Sequence, residues 1–131
     1  MNIRPLDDPT ERLSLIRGIL NYKADEFRGG EKFAIMALAA KETANVIAIF
    51  DDGVFKGAMS YRIEDGRIKR INTGVFPIGK GYGSSMVNYL REKYPNVPHW
   101  CLSIAPNWCE KLGMNFTKKT EDGRFHYEGF K

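Results

Sequence analysis

Apolar residues recur at helical spacing in the first part of the chain and at strand spacing after it. Leu13, Ile16 and Leu20, with Ile19 beside them, form one stripe behind Asp8-Pro9-Thr10-Glu11. That tetrapeptide predicts a helix start, with Asp8 as N-cap, Pro9 at the first helical position and Glu11 three residues after the cap. A short strand is predicted ahead of it, over 2–5. Residues 22–30 read as a connection, with Gly29-Gly30 as its breaker. Phe33, Met36, Ala37 and Ala40 share one face of a second predicted helix, 31–42.

From residue 46 the pattern changes. Val46-Ile47-Ala48-Ile49-Phe50 is a continuous apolar run, as expected of a strand covered on both faces. Asp52-Gly53 is a tight-turn signal, so 54–64 is predicted to return antiparallel, with Phe55, Met59 and Tyr61 on one face. Asp65-Gly66 is a second such turn, leading to a third strand over 67–75. Its apolar positions Ile68 and Ile71 are out of step by one, which predicts a β-bulge. A glycine-rich stretch, Gly79-Lys80-Gly81-Tyr82-Gly83-Ser84-Ser85, precedes Met86, Val87 and Leu90 at helical spacing. Pro95 and Pro98 end that helix. A strand over 99–103, a short helix over 107–112 and a hairpin turning at Asp122-Gly123 complete the order. The fold class is therefore α/β (α+β) with a mixed sheet, in a single domain spanning 1–131.

Composition narrows this only a little. With 43% hydrophobic and 12% aromatic residues among 131, the chain has the makings of one folded core and is too short for two ordinary domains. No apolar run approaches the roughly 20 residues of a membrane-spanning helix, and Met1 to Asp8 lack the apolar stretch of a secretory signal, so no membrane partner and a cytoplasmic location are expected. The net charge of +4 favours a polyanionic ligand without pointing to nucleic acid. Arg67, Lys69 and Arg70 are expected on a solvated face. Cys101 and Cys109 lack metal-ligand spacing, so no metal is expected and both read as small buried residues.

The glycine loop carries the candidate chemistry. Without Cβ atoms its backbone can bend and present successive N–H groups. The following helix adds its unpaired first-turn N–H groups and positive dipole end, a setting suited to a phosphate or pyrophosphate. Lys80 would add charge and Ser84 a hydroxyl. A Walker A loop is excluded because Gly81, not Ser or Thr, follows Lys80. A dinucleotide fingerprint is excluded because Ser84 stands where its third glycine belongs.

The stretch Ile78-Gly79-Lys80-Gly81-Tyr82-Gly83 resembles the acetyl-CoA signature of the GNAT N-acetyltransferase superfamily, and it lies in the matching context of bulged strand before and amphipathic helix after. Downstream, Ala105-Pro106-Asn107-Trp108-Cys109-Glu110-Lys111-Leu112-Gly113-Met114 is similar to the family's second motif, an alanine followed by an aromatic, Tyr-Glu-Lys-Leu-Gly-Phe. The resemblance covers roughly 46–131 well and the N-terminal helices more loosely. It implies a mostly antiparallel sheet of six to seven strands with about four helices, splayed at the acyl-CoA site. It also implies acetyl-CoA as acyl donor, held by Thr73, Gly74 and Val75 on the strand and by Gly79, Lys80, Gly81, Tyr82, Gly83 and Ser84 at the loop. A primary amine on a small molecule, a protein or an aminoacyl-tRNA would attack the thioester directly in a ternary complex. Homodimers are common among relatives.

Three positions depart from the family pattern. Ile78 replaces a basic or amide side chain near the pyrophosphate, Leu102 an asparagine that contacts the cofactor, and Cys109 the tyrosine that protonates the leaving thiolate. Cys109 is thus read as either the acid or a packing substitute, and an acyl-Cys109 intermediate is chemically allowed. His99, or a water held by Glu64, is nominated as base; His126 is weaker. Tyr61 and residues 22–28 are nominated for the acceptor side, with Trp100 and Trp108 as core or cleft-wall aromatics. The alternative function is a catalytically silent GNAT-fold CoA-binding or structural module, similar to compact phage-encoded proteins with eroded motifs. A third is nucleic-acid binding through Arg67, Lys69, Arg70, Lys118 and Lys119.

Overall fold

The run Val46-Ile47-Ala48-Ile49 forms the middle of β2 (Asn45–Asp51), and all four residues are buried because both faces of the strand are covered. A computed structural model of the chain describes residues 1–22, 45–76, 79–103 and 106–131. The predicted helix over 31–42 and the connection before it lie outside these residues. One seven-stranded sheet joins β1 (Asn2–Pro5), β2, β3 (Val54–Glu64), β4 (Arg67–Val75), β5 (His99–Ser103), β7 (Phe125–Phe130) and β6 (Met114–Lys119), in that spatial order. All neighbours are antiparallel except β4 and β5.

Helix α1 (Pro9–Tyr22) begins as its sequence dictates: the Thr10 N–H donates to Asp8 Oδ1 at 2.9 Å. Glu11, expected to close a capping box, instead accepts from Arg4 on β1. Ile16 and Leu20 of α1 pack with Leu6, Val46, Ala48 and Ala58 on one face of the sheet. Ile47, Ile49, Met59, Tyr61 and Ile68 point to the other face, beneath Met86, Val87 and Leu90 of α2 (Tyr82–Lys93). Full burial of each such aliphatic side chain contributes roughly 1.5–3 kcal/mol. Helix α3 (Pro106–Lys111) closes a third cluster of Cys101, Cys109, Met114 and Tyr127.

The predicted turns at Asp52-Gly53 and Asp65-Gly66 form, with positive φ at all four residues, and the third predicted hairpin, turning at Asp122-Gly123, joins β6 to β7. The predicted bulge is present as well. Tyr61 pairs with Arg70 and Ser60 with Asn72, which leaves Ile71 as the extra residue on β4. A close crossing follows further along this pair, at Gly57. A Cβ there would meet Gly74 O at 2.5 Å and Val75 Cα at 2.9 Å, so no side chain fits.

Candidate active site

Strands β4 and β5 run parallel but pair only at Ile68↔His99 and Lys69↔Trp100. Beyond these two pairs no ladder joins them among the described residues, so the strands open toward their C-terminal ends. Residues 73–75 stay paired on the other side, Thr73 with Met59, Gly74 with Ala58 and Val75 with Gly57. Their edge toward β5 is thus the unladdered wall of a V-shaped opening. Thr73 is exposed, and Gly74 and Val75 are half-buried.

The glycine loop leads from β4 into α2. Gly79 and Gly81 take φ of 91° and 78°, the left-handed region open to glycine at low cost. Gly81 is the N-cap of α2 and no side chain caps the helix there, nor does its first turn contain an acid. The first-turn N–H groups thus have no capping side chain, and the positive dipole end of the helix lies behind them. Gly79, Lys80 and Gly81 are exposed, and Ser84 is half-buried. This loop fits the diphosphate of a coenzyme A species: it has N–H donors, a nearby lysine and open space where Cβ atoms at Gly79 and Gly81 would stand.

Two loop residues act differently from expectation. Gly83 lies inside the helix, where a Cβ would come within 3.2 Å of the Trp108 ring. Its glycine serves the packing of α3 on α2. Tyr82 turns its side chain into the core and donates from its hydroxyl to Asp51 Oδ2 at 3.0 Å, tying the loop to β2. Any contact of Tyr82 with an anion at the loop is left to its backbone. Ile78 lies outside the described residues.

The residues nominated for proton transfer do not gather at this opening. His99 sits at the closed end of the V and is 2% exposed, edge-on to Phe130 with ring centroids 5.0 Å apart. Thr73 lies five residues beyond Ile68, the partner of His99, about 16 Å along β4 at ~3.3 Å per residue. Burial, then the charges of Arg70 and Arg91, push the His99 pKa down to about 4, so the imidazole is neutral. The histidine nominated as base is a core residue. Glu64 pairs with Arg67 beside the hairpin turn, again at the end away from the glycine loop. Tyr61 is buried with its hydroxyl 3.2 Å from that of Tyr94, so it packs under α2. Residues 23–28 lie outside the described residues.

Cys109 has no exposed surface, and its Sγ is 3.8 Å from Cys101 Sγ. The two cysteines are small buried residues, as expected. Of the basic cluster, Arg67 pairs with Glu128 at 2.9 Å and Lys69 with Asp65 at 3.7 Å, while Arg70 is in the core. The expectation of a solvated face fails for Arg70 because its position in β4 points it beneath α3, against Trp108 and Met114. A pocket of about 680 Å³ lined by Arg91, Tyr94, Pro98, His99 and Phe130 lies at the C-terminal end of α2, away from the loop. Among the described residues no group of His, Cys, Asp and Glu is placed to hold a metal, and no helix is long and apolar enough to cross a membrane.

No protein-family model matches the chain, and no curated protein matches it significantly. Solved structures do. A GNAT-family protein from Desulfovibrio desulfuricans superposes with a TM-score of 0.72 at 13% identity, over 98% of this chain and 96% of that one. An aminoglycoside 6'-acetyltransferase type Ii gives 0.68 at 14% identity, over 99% and 97%. The PaiA N-acetyltransferase of Thermoplasma acidophilum, solved in complex with coenzyme A, gives 0.65 at 14% identity over the whole of both chains. Superposition over nearly the whole of each chain shows that this chain has the fold of the GNAT N-acetyltransferases.

Proposed function

We propose that the chain is an N-acyltransferase that takes acetyl-CoA as donor and a primary amine as acceptor, both bound at once. The observation that carries this reading is the opening between β4 and β5, which ends directly at an uncapped helix N-terminus entered through Gly79 and Gly81. The diphosphate would lie on the loop N–H groups, with Lys80 and Ser84 beside it. The pantetheine arm would run along the unladdered edge of Thr73, Gly74 and Val75 as an added strand. A neutral amine would attack the thioester carbonyl. One backbone N–H of that edge would hold the developing oxyanion, a contact worth about 3 kcal/mol. Collapse of the tetrahedral adduct breaks the C–S bond, and the amine proton leaves with it.

The departing thiolate has a pKa near that of free cysteine, about 8.5, so it leaves without a strong acid. The reading therefore assigns Cys109 to packing, in keeping with its buried sulfur, and no described side chain to the base. Likeness to an aminoglycoside acetyltransferase puts aminoglycosides on the acceptor panel, beside simple amines, peptide amines and aminoacyl-tRNA.

A second reading, a CoA-binding module without catalysis, draws on the absence of both Cys109 and His99 from the opening. Two measurements separate them. Acetyl-CoA at about 100 times Kd raises stability by roughly 2.7 kcal/mol, seen as a higher Tm. Release of free CoA thiol with one amine of the panel then identifies an enzyme. A Tm shift without thiol release supports the silent module, and no shift with any CoA species removes both readings.

A further inference from the structure

The apex of the V holds a cluster that acyl transfer does not use. Arg70 and Cys101 occupy the first positions beyond the last paired residues, Lys69 and Trp100. Both are 7% exposed. Arg70 Nη2 donates to Met114 Sδ at 2.8 Å, and the guanidinium carbon lies 5.5 Å from the centre of the Trp108 ring. Its Nε and Nη1 are buried with no hydrogen-bond partner among the described residues, and no Asp or Glu there forms an ion pair with it.

A guanidinium does not shed its proton in a protein, so its buried charge calls for a nearby anion. The acidic groups acting on it are the thiols of Cys101 and Cys109. Cys101 is acidified, first by its hydrogen bond with Cys109 and then by Arg70, against the opposing effect of burial. Burial, and after it the same charge, lowers the pKa of the neighbouring His99. Glu110 is turned to the Tyr127 hydroxyl at 3.5 Å. Three sulfurs, from Cys101, Cys109 and Met114, would suit a soft cation, but the guanidinium already bonds Met114 and its charge repels one.

We propose that Cys101 and Cys109, their sulfurs 3.8 Å apart, form a dithiol modification site that hydroperoxides convert to an intramolecular disulfide, with Cys101, the less deeply buried of the two, as the attacking sulfur. The Cys101 thiolate attacks one peroxide oxygen. The O–O bond breaks, hydroxide or alkoxide leaves, and Cys101 becomes a sulfenic acid, oxidised by two electrons as the peroxide is reduced. Cys109 Sγ, 3.8 Å away, then attacks that sulfur. The S–S bond forms, the S–O bond breaks, and the Cys109 proton departs with the hydroxyl as water. The sulfurs need to close by about 1.8 Å to reach disulfide length.

The test treats pre-reduced protein with a small excess of hydrogen peroxide, stops it with catalase, unfolds it in guanidinium with N-ethylmaleimide and weighs the intact chain. With only two cysteines in the sequence, the outcome is unambiguous. The expected product is lighter by two hydrogens, carries no maleimide and recovers both thiols on reduction. In Cys109→Ser, dimedone should trap one sulfenic acid, at Cys101. Arg70→Gln should slow disulfide formation severalfold, because it removes the positive charge that, after the Cys109 hydrogen bond, favours ionisation of Cys101. Two maleimides on the peroxide-treated chain, or disulfides only between chains, would overturn the proposal. So would an Arg70→Gln variant that folds and oxidises at the original rate. The wild-type and Cys109→Ser measurements decide the matter if that variant does not fold.

Discussion

Gly83 and Trp108 meet across α2 and α3 in tight contact: a Cβ on Gly83 would stand 3.2 Å from Trp108 Cζ2, close enough that the indole would have to give by a few tenths of an ångström. The contact joins the first turn of the helix behind the glycine loop to the short helix that carries Cys109. It locks the loop to the third core cluster, where Trp108 also covers Arg70.

Gly83→Val is therefore expected to destabilise the fold by about 1–3 kcal/mol through overpacking. Gly83→Ala should cost far less, because alanine's helix propensity offsets a small shift of the indole by about 1 kcal/mol. Urea unfolding of the two variants checks the order. Equal losses would mean that the ring does not seat against Gly83.

Gly81→Ala tests the loop itself. The substitution leaves space untouched, since nothing lies within 4 Å, but places a Cβ on a residue at φ 78°. The left-handed conformation costs an ordinary residue roughly 1–2 kcal/mol. Under the acyltransferase reading, relaxation of the loop turns N–H groups away from the diphosphate, so affinity for coenzyme A should fall about tenfold in calorimetry.

Gly57→Ala is expected to be the harsher glycine substitution. Its Cβ would overlap the backbone of Gly74 and Val75, which cannot rotate aside as a side chain can. A loss of about 3 kcal/mol is expected, measured as a lower urea midpoint. Because it separates β3 from β4 at residues 73–75, it should also weaken coenzyme A binding.

His99 predicts an acid sensitivity. Its pKa is lowered to about 4 in the fold, from an ordinary 6.5, chiefly by burial. Below pH 6.5 the unfolded chain takes up a proton that the folded chain refuses, so stability falls as pH drops toward 4. After allowance for screening, His99 should account for about 2 kcal/mol of that fall. In His99→Phe this share of the pH dependence should vanish. An unchanged slope between pH 6.5 and 4 would show that the imidazole is reached by water.

Much of this was legible in the chain. Asp8 and Pro9 announce α1, Asp52-Gly53 and Asp65-Gly66 announce their turns, and the slip between Ile68 and Ile71 announces the bulge. Each is a local signal, fixed by the dihedral or hydrogen-bonding preferences of a few adjacent residues. The glycine loop was legible for the same reason, since Gly79 and Gly81 sit where φ is positive. Gly83 is not among the positive-φ glycines, and its close packing partner, Trp108, lies 25 positions away, beyond the reach of a local signal.

What the tertiary structure alone decided is the company each titratable group keeps. By sequence, Arg70 looks like the exposed neighbour of Arg67 and Lys69, and His99 like a strand-end histidine free to take a proton. Alternation along β4 and the parallel start of β5 place both under α2 and α3, where loss of water sets their charge state. Backbone preference is written in neighbouring residues. Desolvation depends on which distant surfaces close over a side chain, and no stretch of sequence carries that by itself.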